Sequence, residues 1–279
     1  MSSEEITESK EEVAEPAEQK ADASESKSEN SDLLGRKIFF LYPTPSVVNQ
    51  VILELAQLEY EVYVARDQAR LARVLKKYPD SIVYANLDDG MSEAEWERWI
   101  SGILTLVPTL QIGCFTVNND EEIKNKYIEK LKVTCGYMPL KVDMSNTAEK
   151  INVILDKLNS KGRRKYLRAA LDGDKNATMN IPHNETFLNC VIKDISVVGL
   201  SCVFEVDPDF KKNTLIKAIQ IKLQSVLINV DGMVFGSREE DGQRIYVILF
   251  LQKTSPETRA KIRKFIQQIL QNKMDTEIN

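Results

Sequence analysis

The chain has 279 residues, 43% of them apolar and 28% charged, with a formal net charge of −5. That is enough for two folded domains and a tail, and no run approaches the roughly 18 apolar residues of a membrane helix, so membrane insertion is not expected. The single histidine, His183, and four cysteines without CxxC spacing (Cys114, Cys135, Cys190 and Cys202) disfavour a zinc site, a disulfide framework and histidine-based catalysis. The cysteines read as buried thiols of a cytoplasmic protein, and His183, after a proline, as an ordinary loop residue.

Residues 1–32 stand apart. They hold eleven acidic residues, three lysines and no aromatic residue, for a charge of 3 − 11 = −8. Such a segment buries too little surface to offset its ordering entropy, which predicts a disordered acidic tail. It lacks the basic start and apolar run of a signal peptide. The remaining residues, 33–279, carry −5 − (−8) = +3. The acidity of the chain therefore belongs to its tail, either a solubilising arm or a shield for basic residues elsewhere.

Residues 33–160 alternate between two periods. Lys37 to Tyr42 is a short apolar run suited to a buried parallel strand. Val47, Val48, Val51, Ile52, Leu55 and Leu58 then recur as a helical stripe. Strands are predicted at 61–65, 81–87, 110–116 and 134–140, with helices at 68–77, 92–103, 120–131 and 147–159. Ser92 and Glu95 have capping-box spacing. Trp96 and Trp99 share a helix face, either packed on the sheet or exposed for a partner. Five strands alternating with five helices imply an α/β doubly wound parallel sheet.

This pattern is similar to a response-regulator receiver domain, whose architecture it matches better than its chemistry. Receivers place an acidic pair after the first strand, a phosphoacceptor Asp at the third, a Thr after the fourth and Lys-Pro after the fifth. Here those positions read Tyr42-Pro43, Asn86, Thr116 and Met138-Pro139. An amide is a poor nucleophile, and the carboxylates that hold a divalent cation are missing. The resemblance thus implies a degenerate receiver. Asp88 and Asp89 are nearby carboxylates, read as a solvated turn, with a shifted alignment as the alternative.

Gly162 is expected to end the last of these helices with positive φ. Arg163, Arg164, Lys165 and Arg168 follow with no acidic residue among them. A guanidinium is a planar fork that matches a phosphate, or the O6/N7 edge of guanine. Strands are predicted at 177–181, 187–192, 200–205, 219–228, 232–237 and 244–251, and six antiparallel strands of this length can close a small barrel. Asp241-Gly242 is a hairpin turn, and Asp231-Gly232 a similar bend. Asp194, Ser196 and Gly199 stand at a strand junction, where Asp and Ser bond nearby backbone and Gly tolerates close approach. Asp194 suits guanine N–H groups, Ser196 a ribose or base, and Gly199 leaves room for a base. A final helix starts at Ser255-Pro256. Its stripe of Ile262, Phe265, Ile266, Ile269 and Leu270 packs on the barrel or forms a dimer interface.

Arg164-x-x-x-Arg168 followed by Asp194-x-Ser196-x-x-Gly199 resembles the RxxxR and [D/N]xSxxG motifs of the PilZ domain, over roughly residues 162–275. The resemblance implies a six-stranded antiparallel β-barrel with a C-terminal helix, spanning residues 161–279. It implies a bacterial receptor for cyclic di-GMP, with Arg163, Arg164, Arg168, Asp194, Ser196 and Gly199 as the ligand site. In that family an Arg immediately before RxxxR is associated with a stacked pair of ligands, and Arg163 holds that position. Arg163 alternatively complements the dipole of the preceding helix. The resulting expectation is a non-enzymatic receptor with no cofactor, whose linker is mobile until ligand orders it, and which signals to an unidentified downstream protein. A phosphorylation-driven response regulator is the alternative. A nucleic-acid-binding module is disfavoured, because residues 33–279 carry only +3.

Overall fold

The computed structural model describes residues 35–140, 144–171, 177–183 and 186–278. The acidic tail of the sequence reading lies outside them.

In the first domain, β1 (Ile38–Leu41), β2 (Val62–Ala65), β3 (Ile82–Asn86), β4 (Gln111–Thr116) and β5 (Tyr137–Pro139) form one sheet in the order β2-β1-β3-β4-β5. All four pairings are parallel. A π-helical turn, Val47–Ile52, runs into α1 (Leu53–Gln57); α2 spans Gln68–Lys77, α3 Glu93–Leu106, α4 Glu121–Asn125 and α5 Met144–Lys157. Each β-strand is apolar on both sides because helices cover both faces. On one face Leu71, Trp96 and Ile100 pack on Phe39 and Val83. On the other Val51, Leu55, Ile151 and Leu155 pack on Phe40 and Tyr84. Trp96 is fully buried, with Trp99 edge-on at 5.8 Å, so the tryptophan pair is core packing. The Glu95 carboxylate accepts from the Ser92 N–H (2.8 Å), the reach-back half of the capping box.

The helix α5 ends differently from the expectation. Asn159, not Gly162, takes the left-handed conformation, with φ 49°. Ser160 N–H then donates to Leu155 O and Asn159 N–H to Asp156 O, the paired bonds of a Schellman cap. After Gly, Asn is the residue that most readily takes this conformation at a helix end. The cap seats the chain's first described residues: Arg36 N–H donates to Ser160 O at 2.8 Å.

The second domain holds β6 (Ala169–Ala170), β7 (Ala177–His183), β8 (Thr186–Ser196), β9 (Gly199–Phe204), β10 (Leu215–Leu223), β11 (Val226–Glu240) and β12 (Gln243–Phe250). The order β8-β7-β10-β11-β12-β9, with β9 pairing back to β8, closes a six-stranded antiparallel barrel. Its interior is filled by Met179, Ile192, Ile219, Ile221, Val234, Tyr246 and Ile248. The predicted strand 219–228 overran a hairpin: Gln224 turns at φ 55°, and Leu223 pairs with Val226. Asp231-Gly232 is not a bend but lies inside β11. The irregularity is across from it, between Ile216 and Ile219, where Ala218 has φ 52°. Asp231 serves it by accepting the Ala218 N–H at 2.9 Å. Asp241 and Gly242, both at positive φ, make the expected β11–β12 turn. His183 ends β7, edge-on to Phe210 at 5.6 Å, and all four cysteines are free and buried.

The helix α6 (Pro256–Ile278) joins the domains. Ile262, Phe265, Ile266 and Ile269 sit in the barrel core cluster. Five residues after Ile269, Met274 is buried in the first domain's cluster, and Leu270 touches both. Gln271 covers the edge of β2: its Oε1 accepts from Val64 N–H at 2.9 Å and its Nε2 donates to Val64 O at 3.0 Å. Both outward-facing backbone groups of Val64 thereby gain a partner. Among the described residues no helix is long and apolar enough to cross a membrane.

Candidate ligand-binding site

Two distant stretches meet because of two residues. Ala169 and Ala170 form the short strand β6 against Ile195 and Asp194 of β8. Leu171 N–H extends the pairing to Lys193 O at 2.7 Å. This antiparallel register sets Arg168, the next residue back, beside the β8–β9 junction. Arg168 Nη1 stands 3.7 Å from Asp194 Oδ1. Arg164 joins them electrostatically: burial lowers its pKa first, the Arg168 charge lowers it further, and Asp194 opposes both. Two guanidiniums held near one carboxylate carry a surplus positive charge that suits an anion.

The polar residues of the junction have defined tasks. Asp194 Oδ2 accepts from Ser201 Oγ at 2.5 Å, which orients the carboxylate. Ser196 is buried; its hydroxyl donates to Gly199 O at 3.0 Å and accepts from Val198 N–H at 3.4 Å. It ties the turn rather than presenting a free hydroxyl. At Gly199 a Cβ would run into the Ile248 carbonyl oxygen and lie 3.1 Å from Leu249 Cα. The missing side chain makes room for β12. Arg163 is exposed on the linker.

The linker makes defined contacts with both domains. Tyr166 and Leu167, which alternate with the arginines, pack against the barrel core. Leu167 N–H donates at 3.0 Å to Oε2 of Glu59, a residue of the first domain. The other Glu59 oxygen accepts from Arg263 of α6, at 3.2 Å from Nε and 3.0 Å from Nη2. One carboxylate of the first domain therefore holds both the arginine linker and the C-terminal helix. A cleft at this seam is lined by Gly35, Glu59, Gly162, Arg164, Leu167 and Arg168.

At the ends of β3 and β4 the polar side chains bond to one another and to nearby backbone. Asn86 Nδ2 donates to Tyr42 O at 2.9 Å. Asp88 lies in an exposed turn, as expected, and its carboxylate accepts from Thr116 Oγ1 at 2.5 Å and from Val117 N–H at 2.6 Å. The threonine at the receiver's fourth-strand position is thus already engaged by an internal carboxylate.

With this arrangement in view, the PilZ domain model matches residues 162–268. Residues 162–268 are a PilZ domain. The match covers the arginine linker, the junction and most of α6. No curated protein matches the chain. Among solved structures, the PilZ domain of Escherichia coli YcgR with c-di-GMP is 15% identical, with a TM-score of 0.37, covering 41% of this chain and 96% of that one. The K. pneumonia MrkH–c-di-GMP complex is 18% identical, with a TM-score of 0.35, covering 41% of this chain and 55% of that one. A signal receiver domain of an HD domain-containing protein from Pseudomonas fluorescens Pf-5 is 16% identical, with a TM-score of 0.37, covering 45% and 90%. The chain thus carries a five-stranded parallel α/β domain followed by the barrel domain that the PilZ model matches.

Proposed function

We propose that this chain is a non-enzymatic cytoplasmic receptor for cyclic di-GMP, bound between the arginine linker and the β8–β9 junction. The observation that carries the reading is the convergence of Arg164, Arg168 and Asp194 within a PilZ domain. Cyclic di-GMP offers two phosphates and two guanines. Arg164 and Arg168 supply forks for a phosphate and a guanine edge, and Asp194 an acceptor for guanine N–H groups. Ser196 and Gly199 contribute by shaping the turn that carries Asp194. Arg163 supplies a third fork, which favours two stacked ligands per chain.

Binding acts on the junction at Glu59. The Leu167–Glu59 bond is charge-assisted and worth about 1.5–3 kcal/mol. The Arg168–Asp194 pair, with side chains 43% and 27% exposed, is worth at most about 1 kcal/mol. Two arginines engaging a phosphodiester and guanine supply about 2–4 kcal/mol each. Ligand contacts therefore outweigh what holds the linker. Drawing the linker onto the barrel takes Leu167 from Glu59, loosens Arg263 and shifts α6 on the β2 edge. A ligand changes this equilibrium only through such differential contacts. An unidentified downstream protein then reads the relation of the two domains.

Titration calorimetry with cyclic di-GMP, GTP and a short RNA tests the receptor reading. Saturable binding is expected for cyclic di-GMP alone, at two ligands per chain and one in Arg163→Ala. A folded protein that releases no heat with cyclic di-GMP, or binds GTP or RNA as well, contradicts it. A wild-type ratio of one contradicts the role given to Arg163.

A further inference from the structure

Gly35 is the first described residue, and it lies against the start of the arginine linker. A Cβ on it would meet Ser160 O, come within 2.8 Å of Gly162 N and within 3.2 Å of Lys161 Cα. The Arg36 N–H bond to Ser160 O fastens this point. Residues 1–34 are therefore tethered at the cleft that Arg164 and Arg168 line. Their charge is opposite to its own. Residues 1–34 carry −8, while residues 161–168 hold Lys161, Arg163, Arg164, Lys165 and Arg168 with no acid. Of these five cations only Arg164 is half-buried; the others are exposed.

Reach is not limiting. Asp32 stands three residues before Gly35 and Glu29 six, which allows about 10 and 20 Å of extended chain. A charged segment on so short a tether meets its site at an effective concentration on the order of millimolar. The nearby acids, Glu59, Glu61, Asp156 and Asp194, compensate only part of its charge: Glu59 is committed to Arg263 and Leu167, Glu61 to Lys37, and Asp156 stands 3.9 Å from Lys161.

We propose that the acidic segment 1–34 occupies the arginine linker in the ligand-free chain and competes with the anionic ligand for it. The competition rests on the linker being the ligand site; the contact itself does not. The segment is a built-in competitor that sets the threshold at which the receptor responds. Its contribution is screened over a Debye length of about 10 Å at 0.1 M salt, so the effect belongs to low and physiological ionic strength.

The test uses the full chain, with Glu25→Gln, Glu29→Gln and Asp32→Asn combined. Calorimetry at low salt is expected to show cyclic di-GMP binding tightened by about three- to tenfold, the gain vanishing near 0.5 M salt. Carbodiimide coupling, read by mass spectrometry, gives an arm that needs no ligand. Amide links are expected from tail carboxylates to Lys161 and Lys165, and to be lost in high salt. Links scattered over distant lysines such as Lys222 and Lys273, or none, overturn the proposal. So does unchanged affinity in the triple variant when wild type binds. If neither protein binds cyclic di-GMP, the ligand reading fails while the cross-links still decide the contact.

Discussion

Alanine at Arg164 or Arg168 is expected to weaken cyclic di-GMP binding by roughly 30- to 1000-fold, which corresponds to about 2–4 kcal/mol. Each variant removes one or two charge-assisted hydrogen bonds to a ligand that shields them from water. Neither arginine contributes much to the fold. Among the described residues Arg168 has one ion pair, partly exposed, with Asp194, and Arg164 is half-buried beside a like charge. The melting temperature should therefore stay near wild type while binding collapses. Lysine is expected to rescue poorly, because a point charge cannot hold a planar acceptor pair. Asp194→Ala should also weaken binding, with a small stability cost from the stranded Ser201 hydroxyl. Calorimetry on the folded variants decides; two arginine variants that bind like wild type would show the site to be wrongly placed.

Gly199→Ala is expected to cost about 2–3 kcal/mol of stability and to lower the melting temperature by about 5–10 °C. The added carbon meets the Ile248 carbonyl, a backbone atom of β12 that no rotamer change moves aside. Gly199 pairs with Leu249 where β9 meets β12, and Ser196 pairs with Gly199 where β8 meets β9. The collision thus falls on the seam that closes the barrel. Ligand affinity per folded molecule should change much less than in the arginine variants. Thermal unfolding together with calorimetry separates the two roles. An alanine variant with wild-type stability and no binding would mean that the bare face of Gly199 meets the ligand.

The residues of the candidate site stand in local sequence patterns, and the residues that connect it to the first domain do not. The arginine spacing and the Asp-x-Ser-x-x-Gly run are local patterns, and strands of period two around them suggested the barrel. Short-range chemistry also exposed the Asp241-Gly242 turn and the start of α6. Glu59 gave no signal: it lies between a helix and a strand, 108 residues from Leu167 and 204 from Arg263. Gln271 looks like any polar position on a helix until β2 is found beside it. The stripe of α6 was read as facing the barrel or a second copy. Its continuation at Met274 instead enters the first domain, which a one-face pattern does not distinguish. The overrun at Gln224 has a similar cause, since the turn uses a Gln at positive φ where Gly or Asn is the usual marker.

Gly162 misled for the complementary reason. A glycine after a helix is a good terminator, but Asn159 came first and the cap formed there. The consequence is functional, because the earlier end places Ser160 to receive Arg36 and brings both ends of the first domain to the linker.

The central claim is that ligand on the linker resets the relation of the two domains through Glu59 and α6. Pulsed electron resonance between spin labels at Ser101→Cys in α3 and Gln243→Cys in β12 measures that relation directly. Both positions are exposed, and the four native cysteines are buried, so labelling is selective. The account predicts a shifted distance distribution at saturating cyclic di-GMP, abolished in Arg168→Ala. Superimposable distributions with and without ligand, in protein shown to bind it, would contradict the account.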